Sequence, residues 1–247
     1  MLVRSTGGVC EKWGVVVNDS KWQRYALVGG PIFVVLAIVG TALAGSPPAP
    51  DDSTEEINSF FADNHGAIKT GAWLGVLAAL FLVWWFATLW RHMADAEGGR
   101  PRLAVVSLGG LIVAVAVTIV CISVVSGMAL RYQDLGDNAG WLWAIYSALG
   151  AASSIGIALH VGAAAALGFR TNYLPMWVNG LGALAALANV VATLGVLSDS
   201  SGVFAFMIIG FLVWALWIIV VSVVLWLRPV AREVEAVTVV AATVLTS

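Results

Sequence analysis

The chain has 247 residues, of which 60% are hydrophobic and only 11% charged, and its mean hydropathy of +0.94 exceeds what one soluble core of this size can hide. That composition implies an integral membrane protein, with the lipid bilayer as its first partner. A formal charge of −2 leaves no cationic surplus for neutralising phosphates, and no finger, RNA-recognition or basic-helix motif occurs, which argues against nucleic acid as a partner.

Residues 1–24 read as a cytoplasmic segment without fixed structure, because Met1–Asp19 has neither helical periodicity nor an amphipathic face; an upstream extension of the reading frame would look the same. Cys10 lies in this segment and Cys121 in an apolar run, a pair too sparse for a disulfide framework, a CxxC couple or a zinc site. The first long apolar run, Tyr25–Gly45, satisfies the requirement of a spanning helix, about 20 residues at ~1.5 Å rise across a ~30 Å hydrocarbon core. Lys21 and Arg24 precede it and it ends in Ala42-Leu43-Ala44, so signal-peptidase cleavage before Gly45 is the competing reading. The run is longer than a signal core, which favours an uncleaved anchor. Pro31, early in the run, is placed to free a backbone carbonyl.

The loop 46–69 follows. Ser46-Pro47-Pro48-Ala49-Pro50 cannot continue a helix, since proline lacks the amide donor and restricts the residue before it. Ser53-Thr54-Glu55-Glu56 then reads as a capping box, with Asp51 and Asp52 near the positive helix end. Ile57, Phe60, Phe61 and Asn64 recur at helical spacing, which predicts a short amphipathic outer helix resting on the bilayer surface or on the top of the bundle. Asp51, Asp52, Glu55, Glu56, Asp63 and His65 lack the alternating ligands and central glycine of a calcium loop, so no metal is assigned to them.

Five further runs are long enough to span: Thr70–Trp90, Leu103–Leu130, Trp141–Phe169, Pro175–Leu197 and Val203–Leu227. No charged residue falls between Arg102 and Arg131, between Arg170 and Asp199, or between Asp199 and Arg228. The predicted fold class is therefore all-α, a polytopic bundle of six transmembrane helices over 25–227 with a cytoplasmic tail at 228–247. An N-terminus inside puts Arg4, Lys12, Lys21, Arg24, Arg91, Arg100, Arg102, Arg170, Arg228 and Arg232 on the cytoplasmic side and leaves only Lys69 and Arg131 outside. Both chain ends are then cytoplasmic. The inner loop from Arg91 to Arg102 is a mixed-charge turn whose cations set topology and meet anionic headgroups.

Polar side chains inside spans are the places to look for function, because hydrocarbon makes them costly. His160 is the one ionisable side chain well inside a span and Asn189 the main amide at depth. Ser153, Gly156, His160 and Ala163 share one helical stripe, and Gly182, Ala186, Asn189 and Thr193 share another on the next span. The short turn Arg170–Leu174 makes these spans a hairpin, so the two stripes are predicted to face each other, with His160 a neutral packing residue against the fifth helix. His160, Asn189, Ser153 and Thr193 form the candidate polar site. Haem between paired histidines is disfavoured because His65 and His92 do not share the depth of His160. Val124-Val125-Ser126-Gly127 followed by His160-Val161-Gly162 faintly resembles the rhomboid proteases, yet Ser126 and His160 fall roughly 25 Å apart in depth at ~1.5 Å per residue, too far for a base to reach its nucleophile. No other Ser, Cys or Asp is expected to be better placed. Leu74–Leu80 and Leu181–Leu187 match in a way an inverted repeat would require, but in the commonest membrane letters.

The Pro-rich segment, then Asn58-Ser59-Phe60-Phe61-Ala62-Asp63-Asn64, Trp73-Leu74-Gly75, Phe81-Leu82-Val83-Trp84-Trp85 and Leu89-Trp90-Arg91, resembles six-span integral membrane proteins of actinobacteria in families of unknown function. The likeness rests on residues 25–102 and implies a bacterial inner-membrane location, with no cofactor or catalytic residue to transfer. The expected function is that of a non-enzymatic structural, accessory or partner-binding membrane protein, with a membrane-protein partner or a second copy as its counterpart. The alternative is a small-solute permease or channel with His160 and Asn189 lining the path.

Overall fold

The computed structural model describes residues 25–197 and 201–227, without the side chains of 201–204. The expected N-terminal segment and C-terminal tail lie outside the described residues. Those described are helical with no strand, and six helices are long and apolar enough to cross a membrane, which makes the chain a multi-pass membrane protein. They are α1 (Gly29–Leu43), α2 (Thr54–Ala96), α3 (Arg102–Leu130), α4 (Ala139–Thr171), α5 (Met176–Ala192, prolonged by a 3₁₀ turn over Thr193–Val196) and α6 (Ser201–Leu227). With the loop before α2 drawn at the top, the turns before α3 and α5 lie at the bottom. A helical turn from Tyr25 leads into α1, where Pro31 has no amide to offer the carbonyl of Leu27 and the ladder resumes with Ile32 N–H donating to Val28.

The outer helix and the second span are one helix. No breaker stronger than Gly66 stands between Asn64 and Thr70, so α2 runs unbroken for 43 residues, about 65 Å at ~1.5 Å per residue. Its start is the predicted capping box: Ser53 Oγ accepts from the Glu56 amide at 3.3 Å, and Glu56 Oε2 accepts from the Ser53 amide at 3.0 Å. The apolar stripe of this upper part rests on the bundle top. Ile57, Phe61 and Ile68 pack with Met128 and Ala129 of α3, Leu135, and Ala139 and Trp143 of α4, while Asn58 Nδ2 donates to the Gly136 carbonyl at 3.0 Å.

α4 lies centrally, touching α2, α3, α5 and α6, while α1 is held at the margin by α2 and α6. Glycines set the close approaches. A Cβ on Gly71 would overlap the Gly40 carbonyl oxygen, and one on Gly110 would stand 2.5 Å from the amide nitrogen of His160 and 2.7 Å from the Gly156 oxygen. These contacts bring α1 to α2 and α3 to α4 backbone against backbone, the geometry that membrane helices use when lipid offers no hydrophobic drive for association. Apolar residues such as Val105, Ile112, Leu184, Leu187, Ile209, Leu212 and Val223 point outward, and Ser107, His160, Asn179, Asn189 and Ser222 point inward. Bilayer-facing positions are thus greasy and polar groups are shared between helices.

At the bottom, Gly98 and Gly99 adopt positive φ of 67° and 88° and let the chain turn sharply after α2. Glu97 then spans the turn, its Oε1 and Oε2 accepting from the amides of Leu103 and Ala104, each at 2.9 Å. The start of α3, which has no side-chain cap of its own at Pro101, is capped from the preceding helix end.

Candidate intramembrane polar site

The close approach of Gly110 to Gly156 places the next turn of α3 against the next turn of α4, and there Ser107 meets His160. Ser107 Oγ lies 2.9 Å from His160 Nδ1 and donates to the His160 carbonyl oxygen at 3.0 Å. Both residues are 0% exposed. The imidazole is enclosed by four aromatic rings set edge to face: Phe86 at 5.2 Å, Trp217 at 5.8 Å, Trp214 at 6.3 Å and Trp85 at 6.4 Å between centroids. Trp85 Nε1 in turn donates to Ser222 Oγ on α6 at 2.8 Å, and Ser222 donates to the Ile218 carbonyl at 2.8 Å. His160 is therefore the hub where α2, α3, α4 and α6 meet.

This corrects the expected seam. The partners of His160 stand on α2, α3 and α6 rather than on α5, because the stripe of Gly156 and His160 fits the glycine of α3. α5 instead seats on the other side of α4, where Ala165 stands against Gly182, Gly162 against Ala186, and Gly168 against Asn179. Asn189 ties α5 to α6, its Nδ2 donating to the Gly210 carbonyl at 3.0 Å and to Ala185 at 2.9 Å. Among the described residues, Ser153 and Thr193 bond within their own helices, to the carbonyls of Gly150 at 2.7 Å and Val190 at 2.6 Å. The four candidate residues do not form one cluster, and among the described residues no hydrogen bond joins His160 to Asn189.

Ser126 stays far from His160, since Cys121 Sγ already lies level with the Tyr146 carbonyl at 3.4 Å and α3 climbs from there as α4 descends. The expectation that no other serine is better placed fails, however, at Ser107. A separation of 2.9 Å is within the reach of a base for its nucleophile. With the Ser107 hydroxyl engaged by a carbonyl, both residues fully buried and the imidazole enclosed by aromatic rings, the pair as it stands bridges α3 and α4 and presents no open face to a substrate.

Sequence reasoning missed Ser107 and the four rings. A signal was present: Trp85, Trp214 and Trp217 lie within their spans instead of at the ends, where interfacial tryptophans collect. Asn179 was missed too. It is 0% exposed at the turn between α4 and α5, with Nδ2 donating to the Leu174 carbonyl at 3.1 Å and its amide against Gly168, where no Cβ fits. Asn172 adopts the left-handed φ of 54° that ends α4, its amide donating to Gly168 at 2.9 Å. Comparison with protein-family models, with curated proteins and with solved structures finds no match.

Proposed function

We propose that this chain is a non-enzymatic accessory or partner-binding protein of a bacterial plasma membrane, with both ends cytoplasmic and the helical bundle itself as the working part. One observation carries the reading: three sets of buried polar side chains at membrane depth join one helix to another. Ser107 and His160 join α3 to α4, Trp85 and Ser222 join α2 to α6, and Asn189 joins α5 to α6. A bundle locked in this way is suited to presenting fixed outer faces to another membrane protein or to a second copy, since its apolar faces are the surfaces left over.

The test has two arms. A photo-crosslinking residue placed at Val105, Leu184 or Ile209 in native membranes should give one discrete protein adduct from one of these faces. Vesicles reconstituted with the protein should remain as tight to protons and small neutral solutes as protein-free vesicles. Flux that disappears on changing His160 or Asn189 would replace this reading by the permease.

A further inference from the structure

Ser107 has one hydroxyl proton and two neighbours able to take it, the His160 carbonyl oxygen at 3.0 Å and Nδ1 at 2.9 Å. With the hydroxyl donating to the carbonyl, its oxygen is free to accept from Nδ1–H, so that the one hydroxyl proton is not claimed twice. The ring proton then sits on Nδ1 and Nε2 is a bare acceptor. Nε2 is buried with no donor among the described residues, and the Nε1 atoms of Trp214 and Trp217 are buried with no acceptor among them. Both indoles are in edge-to-face contact with the same imidazole. Nε2, without a protein donor, can take its hydrogen from a single water molecule. Buried polar atoms without a protein partner are where ordered water is found.

We propose that His160, as its Nδ1–H tautomer, holds one water molecule at Nε2 at membrane depth. The site is independent of whether the bundle binds a partner or conducts a solute.

The experiment is nitrogen-15 solid-state NMR of the full chain in lipid bilayers, with labelled histidine and with His65→Gln and His92→Gln so that His160 reports alone. The expected spectrum has a protonated Nδ1, an unprotonated Nε2, and magnetisation passing from water to Nε2 at short mixing times. In Ser107→Ala the tautomer preference should be lost and both nitrogens should show mixed character. A protonated Nε2 in the His65→Gln, His92→Gln protein, or an unprotonated Nε2 that receives nothing from water, would overturn the proposal without need of the Ser107 variant.

Discussion

Single side chains in this bundle do the work that loops and caps do in soluble proteins. Glu97 is the plainest instance, because its carboxylate satisfies two of the amides that every helix start leaves without a partner. Glu97→Ala should lower stability by about 1 kcal/mol, comparable to loss of an N-cap, when thermal or denaturant unfolding is followed in mild detergent. An unchanged midpoint would mean that water caps α3 equally well. Glu97 was invisible in the sequence as a cap, since it lies six residues before the amide it serves and across a turn. His160 was legible as the buried ionisable group of the spans, but its neighbours were not. An imidazole in an apolar run announces that it needs partners, whereas which helix supplies them depends on how the helices are wrapped.

At the level of elements, the six spans could be read directly from their long apolar runs, three of which, between Arg102 and Arg131, between Arg170 and Asp199 and between Asp199 and Arg228, carry no charge at all. The start of α2 was equally legible, since a capping box is local chemistry. Ser53→Ala should cost about 0.5–2 kcal/mol at that helix start and leave the rest of the bundle intact, as judged by hydrogen exchange of the amides that follow it. Protection lost throughout the bundle would show that the upper part of α2 is not a separable unit. The continuity of α2 was not legible, because Asp63, Asn64, His65 and Lys69 interrupt the apolar run before Thr70 although the helix itself continues. Helix seams were hidden for a similar reason: Gly, Ala and Leu are frequent on every face, and a stripe of small residues does not name its mate. The structure separates them. Gly110 faces α4, whereas Gly109 has open space where a Cβ would go. Gly110→Leu is expected to destabilise the bundle by at least about 1–3 kcal/mol, the cost of overpacking a closed interface, while Gly109→Leu should be nearly neutral. Equal effects in detergent unfolding would remove the α3–α4 contact as described.

For the whole molecule, Ser53 and Asp137 are exposed at one end and Gly98 at the other. The proposed orientation, drawn from the distribution of Lys and Arg, puts the Gly98 end in the cytoplasm. In a cysteine-free background, Ser53→Cys and Asp137→Cys should therefore react with an impermeant maleimide in intact cells and Gly98→Cys should not; labelling at Gly98 would invert the assignment. The central claim is that the membrane-depth polar groups hold the bundle together. Its most direct test is a double-mutant cycle on Ser107→Ala and His160→Leu, with unfolding free energies measured in mild detergent. A coupling of about 0.6–1.7 kcal/mol, the range of interhelical hydrogen bonds in membranes, is predicted. Additivity to within ~0.3 kcal/mol, with both variants as stable as the parent, would contradict it.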